Sequence, residues 1–169
     1  MNVISNSAEK QISWSTVVML TLGFWLSGSL LLDSVIIPGL SASGMMSLGG
    51  VASAGYLIFG IFNHIELLCA ALVLTGFLVF YRHHNFTHQK EVWSVILSGL
   101  MLVIALVYTY ILTPQMGGLG LELNLFEPTT TMPAAMVSLH QVYWVLEAIK
   151  LLAGVTLLSW CYRNACRLV

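Results

Sequence analysis

Six side chains that can carry charge, transfer protons or bind a metal interrupt long apolar stretches of this 169-residue sequence. They are three acids, two histidines and one lysine: Asp33, His64, Glu66, His140, Glu147 and Lys150. Such groups are costly in apolar surroundings unless they are paired, so each is a candidate for function. Their spacing along helices indicates which of them can meet.

The last apolar stretch brings three of these residues onto neighbouring positions of one helix. His140 and Glu147 lie seven residues apart, within about 20° of each other on the same face, and Tyr143 flanks that stripe. Lys150 follows Glu147 by three residues, which allows an ion pair across one turn. We interpret Glu147 and Lys150 as an internal ion pair that neutralises two costly charges.

His64 and Glu66 lie about 160° apart on a helix, so they cannot both face the centre of a bundle. If Glu66 faces inward, His64 lies at the perimeter; if His64 faces inward, Glu66 and the neighbouring Asn63 lie there. A polar group at the perimeter is most easily satisfied by another protein, a second copy of the chain, a bound pigment or a lipid headgroup. The pair therefore predicts a partner on the outside of the bundle.

Histidines suggest a second kind of chemistry. If His64 and His140 both face inward at similar depth, they can hold a haem or a chlorophyll-type tetrapyrrole, since imidazoles are axial ligands. With Asp33 as a third ligand they can instead bind copper or zinc. A separate cluster, His83, His84 and His88, offers an alternative metal site in a connector.

The composition identifies the surroundings of these residues. The chain is 58% hydrophobic and 8% charged, with a formal net charge of −1, whereas soluble proteins carry about 25% charged residues. Such a chain cannot cover itself with a water-facing surface, which predicts an integral membrane protein surrounded by lipid. Since Lys and Arg form no run, we expect no nucleic-acid partner. Without a nucleophile triad or a phosphate-binding loop, we predict no catalytic residue.

Four apolar runs are long enough to cross a hydrocarbon core of about 30 Å. We predict an all-α, four-helix membrane bundle that forms one domain over residues 1–169, with Pro38 and Pro114 closing the first and third helices. The predicted spans are residues 14–37, 56–81, 92–113 and 134–161.

Charged residues outside the spans predict the orientation. One side carries Lys10, Arg82, Lys90, Arg163 and Arg167, whereas the other carries no Lys or Arg. This bias predicts cytoplasmic termini, in a plasma, inner or other energy-transducing membrane.

The two connectors on the opposite side are predicted to differ in character. Residues 40–55 indicate an interfacial helix or a membrane-surface loop. Residues 115–133 indicate an apolar loop containing Glu122 and Glu127, which either closes over the bundle or serves as a docking surface.

Three stretches resemble a known group of small membrane proteins. The first is residues 23–40, with Trp25, Gly28, Asp33, Pro38 and Gly39. The second is residues 108–116 with Pro114, and the third contains Leu139, His140, Tyr143 and Glu147. Together they resemble the domain-of-unknown-function family 4149, which is related to the transmembrane-protein-205-like proteins. The resemblance implies four membrane spans and supplies no activity.

These observations lead to three functional hypotheses. The first is a non-catalytic accessory protein, a subunit or assembly factor that docks on a larger membrane complex or self-associates. The second is a tetrapyrrole- or metal-binding membrane protein that uses His64 and His140. The third is a proton or small-solute pathway, because Asp33, Glu66 and Glu147 lie at successive depths.

Overall fold

A computed structural model describes residues 3–42, 51–82, 88–126 and 134–165, and every described residue is helical. Six α-helices and two π-helical segments follow one another along the chain. They are α1 (Val3–Leu31), π1 (Leu32–Ile36), α2 (Ile37–Ala42), α3 (Val51–Arg82), α4 (His88–Val107), π2 (Tyr108–Leu112), α5 (Thr113–Phe126) and α6 (Ala134–Ala165).

The π-helical segments join their neighbours without a break, so the described chain forms four helical rods. Rod 1 is α1, π1 and α2; rod 2 is α3; rod 3 is α4, π2 and α5; rod 4 is α6. Each rod contains a segment long and apolar enough to cross a membrane, with mean hydropathy between 1.6 and 2.5. These segments are Trp14–Gly39, Ala54–Arg82, Gln89–Leu119 and Ala134–Asn164. The prediction of four long apolar helices is confirmed.

The rods form a four-cornered bundle. Rods 1 and 3 each pack against rods 2 and 4, and within the described ranges the backbones of the diagonal pairs do not approach each other closely. Side chains do meet across the diagonal between rods 2 and 4, as in the contact of Glu66 with Lys150.

Rod 1 runs antiparallel to both of its neighbours. Leu26 lies beside Gly154 of rod 4, whereas the later Asp33 contacts the earlier Tyr143. Val18 lies beside Gly76 of rod 2, whereas the later Gly28 lies beside the earlier Phe62. We call the end with Arg82, Lys90 and Arg163 the basic end and the other end the opposite end.

The prediction that Pro38 and Pro114 close their helices is wrong. Rod 1 continues through Pro38 to Ala42, and rod 3 continues through Pro114 to Phe126. A π-helical segment ends two residues before each proline, and the residue between them donates its N–H to a carbonyl five positions back. A widened turn gives the proline ring room, which is how such helices tolerate proline.

The connectors also differ in part from prediction. The first part of the predicted loop 115–133 is helical to Phe126, and residues 127–133 lie outside the described residues. Of residues 40–55, the first three and the last five are helical, and 43–50 lie outside the description. His88 begins α4, whereas His83 and His84 are not described, so the predicted connector metal site is not described as a unit.

The half of the bundle towards the basic end contains a layer of fully buried apolar side chains. Six large side chains from all four rods, each at 0% exposure, form what we call the apolar layer: Val18, Leu22, Val73, Phe77, Met101 and Leu157. Gly154 lets three rods approach here, since a Cβ at this position would lie 2.6 Å from Leu26 Cδ2 and 3.3 Å from Met101 Cε. This layer supports the polar site described next.

Candidate functional site

Glu66 accepts three hydrogen bonds in the interior of the bundle. Its Oε1 atom accepts from Trp25 Nε1 at 2.8 Å, from Ser29 Oγ at 3.0 Å and from Lys150 Nζ at 2.5 Å. Glu66 is 1% exposed and Lys150 is 2% exposed. Three donors, one of them charged, therefore meet at one buried carboxyl oxygen.

Lys150 also joins Glu66 to a second acid. Its Nζ atom lies 2.7 Å from Glu147 Oε2, across one turn of α6. The predicted internal ion pair is therefore present, and Glu66 extends it to a triad. Glu147 Oε2 also accepts from the Tyr108 hydroxyl at 3.1 Å, and Lys150 Nζ lies 5.2 Å from the centre of the Tyr108 ring. The lysine thus contacts side chains from three rods.

A second tyrosine extends the network to Asp33. The Tyr143 hydroxyl donates to Asp33 Oδ1 at 2.6 Å. The Tyr143 ring stacks on the Tyr108 ring with centroids 5.1 Å apart, and the Tyr108 hydroxyl lies 3.2 Å from the main-chain carbonyl of Tyr143. Asp33 is 5% exposed and lies six residues, about 9 Å, from Gly39 at the opposite end.

Together these residues form one network, which we call the polar cluster. It contains Asp33, Tyr143, Tyr108, Glu147, Lys150 and Glu66, with Trp25 and Ser29 as donors to Glu66. All four rods contribute. The cluster extends from the opposite end towards the middle of the bundle, where the apolar layer begins.

Two members of the cluster lie in the π-helical segments. Asp33 is the second residue of π1, and Tyr108 is the first residue of π2. A π-helical turn adds a residue to the turn and so changes the direction in which subsequent side chains point. Thr109, the next residue of π2, bonds the carbonyl of Ala105 at 2.8 Å. The same two turns that accommodate the prolines therefore carry functional groups.

The cluster is unbalanced in charge. Within the described chain it places three carboxyl groups, those of Asp33, Glu66 and Glu147, against the ammonium group of Lys150. Each of these carboxyls has one buried oxygen without a hydrogen-bond partner among the described residues: Asp33 Oδ2, Glu66 Oε2 and Glu147 Oε1. Full ionisation would leave two uncompensated negative charges in an apolar interior, which is strongly unfavourable.

The exposed face of rod 2 carries His64. Its imidazole Nδ1 lies 2.7 Å from the carbonyl of Gly60, whereas Glu66 and Asn63 are buried. The expectation that His64 and Glu66 face different directions is therefore confirmed. Asn63 does not accompany His64 to the perimeter; its Nδ2 donates to Thr113 Oγ1 of rod 3 at 2.6 Å.

His140 lies half-buried on rod 4, with Nδ1 2.9 Å from the carbonyl of Met136. Rods 2 and 4 are diagonal, and His64 lies on an exposed face, so the structure does not bring the two histidines together inside the bundle. Among the described residues there is also no group of three His, Cys, Asp or Glu side chains placed to hold a metal ion. The site brings acids together with tyrosines and lysine instead.

Sequence reasoning missed three contributors to the cluster, namely Trp25, Ser29 and Tyr108. A signal for the first two was present, because Trp25, Ser29 and Asp33 follow one another at four-residue spacing and so share a helical face. Tyr108 offered no such signal, because it ends an uninterrupted apolar run in which the sequence does not mark the inward face. Tyr108 and Thr109 are both buried, whereas Tyr110 is exposed.

Comparisons with protein-family models, curated proteins and solved structures found no match to this chain.

Proposed function

We propose that the chain is a multi-pass membrane protein that binds and releases protons at the polar cluster, coupling its protonation to the packing of the four rods. The observation that carries this proposal is the excess of buried carboxyls, three against the single ammonium group of the described cluster. Ionisable groups inside membrane helices commonly mark proton or ion pathways.

Charge balance gives the proposed proton count. A neutral cluster with a charged Lys150 contains one carboxylate and two protonated carboxyls. Glu66 is best suited to be the carboxylate, because its Oε1 accepts three donors. The protons then reside on Asp33 and Glu147, and each of these acids has a free buried oxygen to carry one.

The tyrosines support proton binding at each of these acids. The hydroxyl of Tyr143 donates to Asp33 and that of Tyr108 donates to Glu147. A hydroxyl can both donate and accept, so each tyrosine can stay hydrogen-bonded to its acid whether or not the acid carries a proton. Since the described residues offer no metal-binding group of three, a proton fits the unbalanced carboxyls better than a metal ion.

Coupling to conformation follows from where the cluster is anchored. Its hydrogen bonds join rod 1 to rods 2 and 4, and rod 4 to rods 2 and 3. A proton added to or removed from the cluster changes the strength of these bonds between rods. The apolar layer separates the cluster from the basic end, which favours proton binding over steady conduction in this conformation.

The proposed orientation places the basic end and both termini in the cytoplasm. The positively charged residues Arg82, Lys90 and Arg163 support it, because cytoplasmic ends of membrane helices are enriched in Lys and Arg. Exposed large apolar side chains, such as Leu20, Leu68 and Leu152, support a lipid-facing exterior. The accessory and docking role predicted from the sequence stays a prediction.

Infrared spectroscopy of the protein in lipid bilayers tests the proposal. Above about pH 6, where exposed Asp and Glu are ionised, we expect a carbonyl stretching band from protonated carboxylic acids that loses intensity as the pH is raised further. The double variant Asp33→Asn/Glu147→Gln should lack this band, because its cluster retains only the neutral Glu66–Lys150 pair. Glu91→Gln removes a buried acid outside the cluster and should retain the band.

Absence of a protonated-carboxyl band from the wild-type protein above about pH 6, where exposed acids are ionised, would overturn the proposal. Survival of the full pH-dependent band in the double variant would also overturn it. Circular dichroism of each variant establishes that the bundle is intact.

A further inference from the structure

A groove lies on the outside of the bundle between rods 2 and 3. It has a volume of about 460 Å³, and its lining includes Tyr56, Gly60, His64 and Leu68 from rod 2 and Thr109 and Pro114 from rod 3. Ligand sites in proteins commonly have volumes of about 300–1,000 Å³ and are mostly apolar with a few polar groups. This groove has that character and lies apart from the polar cluster.

The hydrogen bond to Gly60 fixes how His64 faces the groove. A carbonyl oxygen only accepts, so the 2.7 Å contact requires the proton on Nδ1. In the neutral imidazole, Nε2 then carries a lone pair and no proton. This is the arrangement of ligating histidines, in which one ring nitrogen donates to a carbonyl and the other binds a metal.

The position of His64 along α3 limits what can satisfy that lone pair. The apolar segment Ala54–Arg82 has 29 residues, and His64 lies four residues, about 6 Å, from its middle. His64 therefore lies inside a hydrocarbon core of about 30 Å, which favours a partner that itself dissolves in lipid over a headgroup. An oxidised quinone offers only carbonyl acceptors to Nε2, so it does not match the lone pair.

The helix surface beside the imidazole is open to a ligand. A Cβ placed on Gly60 would meet nothing within 4 Å, so the helix surface one turn from His64 is open. We propose that the groove binds a metal-containing tetrapyrrole, with Nε2 of His64 as its single axial ligand. The macrocycle lies against rods 2 and 3, and its metal accepts the Nε2 lone pair.

This site differs from the predicted one in which His64 and His140 hold a tetrapyrrole together. It uses one histidine on the exterior, and it depends on none of the carboxyls in the polar cluster. Its success or failure is therefore separate from that of the proposed proton function.

A titration with zinc protoporphyrin tests the proposal, because its zinc takes one axial ligand. We expect the full-length protein in lipid nanodiscs to bind one porphyrin per chain, with the change in the Soret band that imidazole coordination produces. His64→Ala should abolish this change and weaken binding by at least about tenfold. Added free imidazole should restore the spectral change in that variant.

His140→Ala is the matched control and should bind as the wild type does. The proposal is overturned if His64→Ala gives the wild-type spectrum, or if empty nanodiscs give the same signal as those with protein. It is also overturned if the groove is occupied by a second copy, seen as a stable dimer that excludes the porphyrin.

Discussion

The two halves of the bundle treat buried polar groups in different ways. Towards the opposite end, polar side chains bond across rods, as in the contacts of Tyr143 with Asp33 and of Lys150 with Glu66. Towards the basic end, Ser94 and Ser98 bond carbonyls of their own helix, at Glu91 and Val95. In these contacts the first half couples rods through polar bonds, whereas the two serines of the second half bond within their own helix and the apolar layer packs across rods.

This difference separates binding a proton from conducting one. A cluster of acids and tyrosines can exchange protons, while a closed layer of fully buried apolar side chains gives protons no path. Substitutions that remove a polar bond between rods should therefore cost more stability than those that remove a bond within one helix.

Lys150→Met should destabilise the bundle most. It removes the ammonium group between Glu66 and Glu147 and leaves their carboxyls without that positive charge, and breaking a buried ion pair typically costs about 3–5 kcal/mol. We expect a large fall in the thermal unfolding temperature of the purified protein. Adding Glu66→Gln to this variant should recover part of the loss. A wild-type unfolding temperature in Lys150→Met would show that the triad does not hold the rods together.

Trp25→Phe should have the next largest effect, because it removes a hydrogen bond to a charged acceptor. Such bonds contribute about 1.5–3 kcal/mol. Trp144 is 52% exposed and supplies the matched control. Trp144→Phe should change stability by less than about 0.5 kcal/mol. Equal effects of the two substitutions in thermal unfolding would contradict the assigned role of Trp25.

Tyr143→Phe should cost about 1 kcal/mol through loss of its hydrogen bond to Asp33. The infrared band assigned to Asp33 should also shift, since the acid loses its hydroxyl partner. Tyr110 lies in π2 and is 66% exposed, so Tyr110→Phe should leave both stability and the band unchanged. A band unchanged in Tyr143→Phe would separate Asp33 from the tyrosines.

Replacing one serine in each half gives a direct comparison of the two halves, with the smallest expected changes in stability. Ser29→Ala removes a bond between rods 1 and 2 and should cost about 1 kcal/mol. Ser98→Ala removes a bond to its own helix at Val95 and should be near neutral, because such bonds compete with helical ones. If thermal unfolding ranks the two variants in reverse order, the proposed contrast between the halves is wrong.

The sequence predicted the parts of this structure that depend on composition and regular helical spacing. Four long apolar helices follow from the length of the apolar runs, and the Glu147–Lys150 pair and the opposed directions of His64 and Glu66 follow from a 100° turn per residue. The ends of the helices follow from neither, because proline predicts a helix end whereas π-helical turns accommodate it here.

The candidate site was predicted only in part, because its contacts join residues on different rods. Lys150 meets Glu66 across 84 positions of sequence, and Tyr143 meets Asp33 across 110. Helical spacing fixes directions on one helix, but it does not fix which rods are neighbours. Once rod 4 lies beside rod 1, Asp33 and Tyr143 meet without any sequence motif that links them.

Proton flux into liposomes that contain a pH-sensitive dye tests whether the polar cluster binds protons and the apolar layer blocks their passage. The wild-type protein should add little to the lipid background, because the apolar layer is closed. Met101→Gln/Leu157→Asn makes two fully buried members of that layer polar and should allow flux. Adding Asp33→Asn and Glu147→Gln should abolish this flux. Equal flux with and without these two acids would show that the polar cluster does not bind the protons that cross the bundle.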